Sequence, residues 1–255
     1  MISINNVCID TRKTARQGDK LEINLEYDED NSNIVSKKMD LKIIYEDEAF
    51  LILDKPAGIA VHPSILHYEN SLASGVKYYF ETIGIHKKIR PVNRLDLNTS
   101  GLIIFAKNEY VQECLIKQMK NEEFEKQYVA IVEGVLENKK GIINAPIARK
   151  ETSIIERCVS DDGQEAVTEY EVLKENDKYS LIRCKLLTGR THQIRVHMAY
   201  IGHPLLGDTL YGNKSDLINR QALHSYMISF IHPITKDRLN FVCEIPKEFR
   251  EIIWM

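Results

Sequence analysis

The sequence predicts an α+β fold: a mixed, mainly antiparallel central sheet flanked by helices and loops, with a small β-rich extension at the N-terminus. Two observations carry this. Runs rich in β-branched and aromatic residues follow one another at 41–45, 50–53, 102–106, 124–135, 154–159, 166–173, 179–187, 222–231 and 239–243. Helix-period stretches fall irregularly among them, at about 71–82, 108–121, 191–201 and after Pro246. A doubly wound sheet needs a helix after nearly every strand, and that pattern is missing. At 255 residues the chain suffices for one large domain, or one domain with a small appendage.

In order, residues 2–27 hold two short strand-like runs around Arg16-Gln17-Gly18-Asp19, the second being the alternating Leu21-Glu22-Ile23-Asn24-Leu25-Glu26-Tyr27. The mostly polar stretch 28–40 is a linker, so a boundary is expected between 1–38 and 39–255. The first block is too short to hold its own core; it is an appendage or an addition to the main sheet. Strands 41–45 and 50–53 pair around Glu46-Asp47-Glu48, and the second ends in the turn Asp54-Lys55-Pro56-Ala57-Gly58, which Pro and Gly enforce. Val61-His62-Pro63-Ser64 then precedes the first helix. Asn108 caps the second, whose stripe is Val111, Leu115 and Met119, with Lys117 and Gln118 turned away. Gly163 joins 154–159 to 166–173 as a hairpin, and the 191–201 helix buries Ile194, Met198 and Ile201.

The net charge of −3 is not that of an obvious nucleic-acid binder. Its distribution is more telling. No acid occurs from Lys178 to Gly207, where Lys178, Arg183, Lys185, Arg190 and Arg195 lie; Lys87, Lys88, Arg90 and Arg94 crowd the stretch between Glu81 and Asp96. A fold that joins the two stretches makes one positive surface. Five cysteines without close spacing fit reduced thiols, and neither a disulfide framework nor a zinc site. No signal peptide or bilayer-spanning run is present, so a cytoplasmic protein without a membrane partner is expected.

Two stretches concentrate chemistry. Pro91-Val92-Asn93-Arg94-Leu95-Asp96-Leu97-Asn98-Thr99-Ser100-Gly101 sets one carboxylate in a polar turn before a buried strand, among cations that favour its charged form. In extended chain Arg94 and Asp96 share a side. Alone, such an Asp caps its own turn. In Thr188-Gly189-Arg190-Thr191-His192-Gln193-Ile194-Arg195-Val196-His197-Met198, Arg195 sits at the edge of an apolar stripe. It is either part of an exposed basic face or a guanidinium fixing a carboxylate by a bidentate pair. His192, His197, His203 and Asp208 suggest a metal, but a five-residue gap turns the first two histidines apart on a helix. Tyr128, in Lys126-Gln127-Tyr128, is sheet packing or a platform for a base. Neither a phosphate-binding glycine loop nor a Ser or Cys nucleophile motif occurs.

Together these stretches resemble the RluA/RluD-type family of RNA pseudouridine synthases. The resemblance runs from about Leu41 to the C-terminus. It comprises Leu53 to Gly58, Asn93-Arg94-Leu95-Asp96 with Thr99-Ser100-Gly101, Lys126-Gln127-Tyr128, Gly189 to His197, Gly207-Asp208 with Tyr211-Gly212, and Leu223-His224 with His232-Pro233, in the family's order. Residues 2–25 resemble the second half of an S4-type RNA-binding domain. One departure is plain: the family usually has His where this chain has Asn93, which cannot carry a proton near neutral pH.

The resemblance implies conversion of uridine to pseudouridine in RNA without cofactor or metal, on a nucleotide flipped from its context. Asp96 would be the essential carboxylate, attacking C1′ or taking the 2′ proton. Tyr128 would stack on the uracil and assist proton loss from C5, Arg195 would aim Asp96, and Arg94 would steady the space the base vacates. Asn93, Lys126, Arg190, His192 and Gln193 are the further RNA-contacting candidates. The expected partner is large-subunit ribosomal RNA, with transfer RNA as the alternative, and the expected state is a monomer. Two rivals stand beside this: a non-catalytic RNA-binding protein on the same fold, and a carboxylate hydrolase, which needs a paired second acid.

Overall fold

The apolar runs assemble into one ten-stranded sheet whose register decides where the chemistry lies. A computed structural model describes residues 2–10, 12–25, 27–63 and 69–254; Glu26 and Ser64, parts of two stretches singled out above, lie outside the described residues. In chain order the elements are β1 (Ile2–Ile4), β2 (Val7–Cys8), β3 (Leu21–Ile23), β4 (Ile43–Glu46), β5 (Phe50–Lys55), α1 (Leu72–Thr82), β6 (Arg90–Pro91), β7 (Ser100–Ala106), α2 (Glu109–Lys120) and β8 (Glu125–Glu133). There follow β9 (Lys140–Asn144), β10 (Ile147–Arg149), β11 (Arg157–Val159), β12 (Val167–Glu175), β13 (Tyr179–Leu186), α3 (Gln193–Tyr200), β14 (Leu223–Ile231), β15 (Arg238–Val242) and α4 (Lys247–Trp254).

The main sheet runs β4-β5-β7-β14-β8-β13-β12-β9, with β15 added on β14 and β6 on β7. Only β7 and β14 run parallel; the other pairs are antiparallel, so the expected α+β architecture holds. Alternation along the central strands supplies two buried faces. Leu51, Leu53, Ile103, Phe105, Ala130, Val132 and Ile182 pack under α1 and α3. Phe50, Ile52, Ile104 and Phe230 pack under α2, and Val129 and Ile131 under α4. Side chains buried this fully contribute about 1.5–3 kcal/mol each. Ser71 caps α1 by accepting from Ser74 N at 3.2 Å, and Asn108 caps α2 by accepting from Val111 N at 2.9 Å, as its position predicts.

Several expectations are corrected. Gln118 is buried, not turned outward: its Nε2 donates to Ile231 O at 2.7 Å and its Oε1 accepts from Ile231 N at 2.8 Å, fastening α2 to the end of β14. A hydropathy stripe cannot register an amide that completes a strand's backbone bonding. The hairpin around Gly163 does not form. β11 pairs with β10 in a separate two-stranded sheet, while β12 joins β9 and β13, so the Gly163 turn passes between sheets. β9 and β10 went unforeseen because β9 is an edge strand of mixed polarity, with Ile142 left exposed.

The N-terminal block forms its own sheet, β2-β1-β3, with Val7, Leu21 and Ile23 exposed. A strap then lies along the main body. Lys87 Nζ donates to Leu25 O and Tyr27 O, Arg90 clasps Glu29 with two nitrogens at 2.5 and 2.6 Å, and Lys77 Nζ donates to Asn31 O and Ile34 O. The expected single positive surface is therefore corrected: Lys87 and Arg90 are engaged by the strap.

Candidate active site

The Asp96 turn is held from two sides. Asn93 is buried, its Oδ1 accepting from Ile104 N at 2.9 Å and its Nδ2 donating to Leu102 O at 3.2 Å. Both amide groups are thus spent on β7, and Asn93 is not presented to solvent as an RNA contact. On the other side Lys55 is wholly buried, and its Nζ donates to Pro56 O at 2.9 Å, Ile59 O at 2.8 Å and Leu97 O at 2.9 Å. Burial, together with the nearby Arg220 charge, pushes the Lys55 ammonium down to about 8, against a smaller opposing pull from Asp96. Thr99 N closes the turn on Asp96 O at 3.1 Å.

Strand register then brings Tyr128 to this turn. Gly101 lies opposite Ser225 of β14, and Ser225 lies opposite Tyr128 of β8. Gly101 has φ +109°, and a Cβ there would lie 2.2 Å from Ser225 O, so only glycine permits the approach. Tyr128 is buried; desolvation, then the Asp96 charge, push its phenol well above the usual range, against a hydrogen bond with the Ser225 side chain. The phenol therefore holds its proton tightly, and Tyr128 lines the pocket that Asp96 also lines.

Arg195 projects from α3 and is buried. Its Nη1 reaches Asp96 Oδ2 at 3.2 Å, while Nε and Nη2 grip Asp208 at 2.7 and 2.8 Å. The expected bidentate pair exists, but with Asp208; Asp96 receives the third nitrogen. Burial opposes the Arg195 charge, and the two carboxylates outweigh it and raise its affinity for the proton. Asp208 is itself fixed by accepting from Leu210 N at 3.0 Å.

His192 caps α3 in the left-handed region, φ 59°. Its Nδ1 bonds the Tyr211 hydroxyl at 2.8 Å and its Nε2 lies 3.8 Å from Asp96 Oδ2. Arg94, Asp96, Tyr128, Arg190, His192 and Leu223 line one pocket. Arg94 is exposed there and has no ion-pair partner among the described residues. Arg190 is exposed, its Nε donating to Glu165 O at 2.8 Å. Lys126 shares the strand face of Tyr128 and lies in the adjoining cleft beside Gly189, its ammonium pushed down by burial. Gln193 borders the pocket, but its amide is used on Arg190 N, Thr188 Oγ1, Val167 O and Thr168 Oγ1. It staples the loop and is not free for RNA.

These features put one carboxylate, aimed by a buried guanidinium, beside a buried tyrosine in a pocket edged with arginines. A family model described as RNA pseudouridylate synthase matches residues 49–200. The chain belongs to this family. It is an isomerase acting on RNA. The chain is 38% identical over 252 residues to an uncharacterized RNA pseudouridine synthase, YjbO, of Bacillus subtilis (strain 168), covering 99% of this chain and 89% of the relative. It is 36% identical over 269 residues to ribosomal large subunit pseudouridine synthase D of Blochmanniella floridana, covering 98% and 84%. The human RNA pseudouridylate synthase domain containing 1 superposes with a TM-score of 0.67 at 26% identity, covering 80% of this chain and 83% of that one.

This pseudouridine synthase also carries residues that sequence reasoning passed over. Asp208 enters the sequence analysis as a metal candidate and within the Gly207-Asp208 motif of the resemblance, but its grip on Arg195 is not foreseen there. Lys55 stands in the Leu53 to Gly58 stretch of the resemblance, but nothing in the sequence marks it as the buried clamp of three carbonyls. His197 is bonded in the core to Thr168 Oγ1 and Ala145 O, and His203 to Glu133 O. Ligand-type atoms converge elsewhere, at Asp54, His224 and Cys243. There His224 bonds Cys243 Sγ at 2.9 Å and Ser100 Oγ at 2.9 Å, and Lys42 Nζ donates to Asp54 at 2.8 Å. No described helix is long and apolar enough to cross a membrane.

Proposed function

We propose that this chain isomerises uridine to pseudouridine in structured large-subunit ribosomal RNA, working as a cytoplasmic monomer. In this reading 39–255 is the catalytic unit and 1–38 an extension clamped to it by Lys77, Lys87 and Arg90. The observation that carries the chemistry is the single Arg195 nitrogen on Asp96, 3.2 Å away, beside Tyr128. Asp96 opens the reaction at the sugar, as nucleophile on C1′ or as base toward the 2′ position. Arg195 keeps it aimed, as supporting contacts do for a preorganised group. The Tyr128 ring receives the uracil face once the nucleotide is flipped out, and exposed Arg94 enters the space left behind. Arg190 and Lys126 meet phosphates, so affinity falls with salt.

The ribosomal target is supported by relatives named ribosomal large subunit pseudouridine synthase D, among them that of Blochmanniella floridana. The test is to incubate the protein separately with unmodified large-subunit ribosomal RNA and unmodified transfer RNA, then map pseudouridine by carbodiimide-induced stops. New stops in ribosomal RNA alone are expected; stops confined to transfer RNA overturn the target. Light scattering after size exclusion checks the monomer.

A further inference from the structure

Three ligand-type side chains far apart in sequence meet outside the pocket of Asp96. β7 lies between β5 and β14, with Asp54 of β5 opposite Leu102 and His224 of β14 opposite Ser100. Cys243, directly after β15, is tied to β14 by its N–H, which donates to Tyr226 O at 3.0 Å. One donor atom from each of Asp54, His224 and Cys243 lies within 4.8 Å of the other two. His224 and Cys243 are buried and Asp54 is half-buried. No sequence spacing announces such a set, because strand register alone brings positions 54, 224 and 243 together.

We propose that Asp54, His224 and Cys243 form a binding site for a divalent transition-metal ion, zinc being the ion their donors suit best. A thiolate, an imidazole and a carboxylate are the donors zinc takes, with water as the fourth ligand where the protein supplies three. The surroundings match. Ser100 Oγ lies 2.9 Å from His224 Nδ1. A hydroxyl accepts from Nδ1–H as readily as it donates, so it can hold the ring with the Nε2 lone pair turned to the ion. Cys243 Sγ stands on that side, 2.9 Å from Nε2. Lys42 Nζ bonds Asp54 Oδ2 at 2.8 Å, but Lys42 is largely exposed, and its ammonium can leave to solvent at little cost. The buried cations nearby are engaged, Arg220 on Glu248 at 2.7 Å and Lys55 on three backbone carbonyls. A surface cleft of about 800 Å³, lined by Asp54, Ser100 and His224, gives the ion its way in.

Binding exchanges a proton for the metal. The Cys243 S–H bond yields its proton to solvent, both electrons stay on sulfur, and a sulfur lone pair goes to the ion. His224 and Asp54 add a nitrogen and an oxygen lone pair. No oxidant or reductant enters. At ordinary zinc bond lengths neighbouring donors sit about 3.5 Å apart, so the 2.9 Å contact of His224 with Cys243 opens by about 0.6 Å. The ion then ties β5, β14 and the end of β15 together where Ser100 starts β7, and so acts on stability. With the ion removed His224 is again open to a proton, so acid sensitivity belongs to the metal-free form.

The test uses the full chain, kept reduced, freed of metal by chelator and titrated with Co²⁺ and then Zn²⁺. The expected result is one Co²⁺ per chain, with a sulfur-to-cobalt charge-transfer band and the intense visible bands of a tetrahedral ion, both erased by Zn²⁺. The unfolding midpoint should rise with Zn²⁺ and fall back with EDTA. Cys243→Ser should lose the charge-transfer band, and Cys8→Ser, at the exposed thiol, should keep it. Ser100→Ala should bind about 10–100-fold more weakly. Lys42→Ala, which frees Asp54, should bind more tightly than wild type, and this exposed substitution keeps the proposal refutable if Cys243→Ser misfolds. No charge-transfer band in the wild type, a band kept by Cys243→Ser or lost in Cys8→Ser, or no gain in Lys42→Ala overturns the proposal.

Discussion

Arg195 and Asp208 meet through two near-parallel bonds, 2.7 and 2.8 Å long, with Asp208 almost wholly buried. This pair fixes the plane of the guanidinium, so the remaining Nη1 has one direction to point, and Asp96 lies in it.

Asp208→Asn keeps the shape but removes the charge that anchors Arg195. Leaving a buried cation underpaired costs about 3–5 kcal/mol. A loosely held Asp96 should lower kcat by about 10²-fold. Urea unfolding and single-turnover assays on the same preparation check both effects. Arg195→Lys should act similarly on kcat, because an ammonium cannot reproduce the fork.

Lys55→Met removes one cation from three carbonyls. Each carbonyl left unpaired in the interior costs about 1–3 kcal/mol, offset in part by the loss of a poorly solvated charge. A lowered unfolding midpoint is expected, together with lower kcat, because Leu97 O beside Asp96 is then held by Gly58 N alone. RNA affinity should change little.

Stability should fall on the acid side. Burial, helped by the Arg220 charge and against the opposing pull of Asp54, holds the His224 imidazole down to about 4, against 6.5 for the free side chain. The unfolded chain takes a proton at His224 once the pH drops below 6.5, whereas the folded chain refuses it until about 4. The contribution is therefore complete above pH 6.5 and is lost as the pH falls to about 4, amounting to about 3 kcal/mol. His197, also pushed down by burial, acts in the same direction. Urea midpoints measured across that window should decline, and less steeply in His224→Gln.

Arg94 and Asn93 are adjacent but should behave oppositely. Arg94→Ala should leave the unfolding midpoint unchanged, weaken RNA binding, and reduce the slope of log affinity against log salt by about 1. Asn93→Ala should cost about 1–3 kcal/mol for each backbone group on β7 that it leaves unpaired. RNA affinity should be unaltered. Filter binding at several salt concentrations and chemical unfolding separate the two.

The sheet, the helix caps and the order of the motifs were legible because they depend on local periodicity. Asn108 is visible as a cap, and Leu102 to Ala106 as a buried strand, from neighbours in sequence alone. What escaped depends on distant partners. Gln118 has the period of an outward residue, yet closes the end of β14. Asn93 is polar and beside the catalytic carboxylate, yet its amide meets only β7 backbone. Lys87 and Arg90 look like a basic face until Leu25, Tyr27 and Glu29 engage them. Asp96, Tyr128 and Arg195 were readable through the family's motifs; that Arg195 divides itself between Asp96 and Asp208 required the fold.

The most direct test of the central claim is tritium release from C5-tritiated, unmodified bulk RNA by wild type and Asp96→Asn. Release by the wild type alone, with RNA binding kept by both, is the predicted result. Release by Asp96→Asn at the wild-type rate, or none by the wild type while it still binds RNA, would contradict the assignment of Asp96 as the carboxylate that drives the reaction.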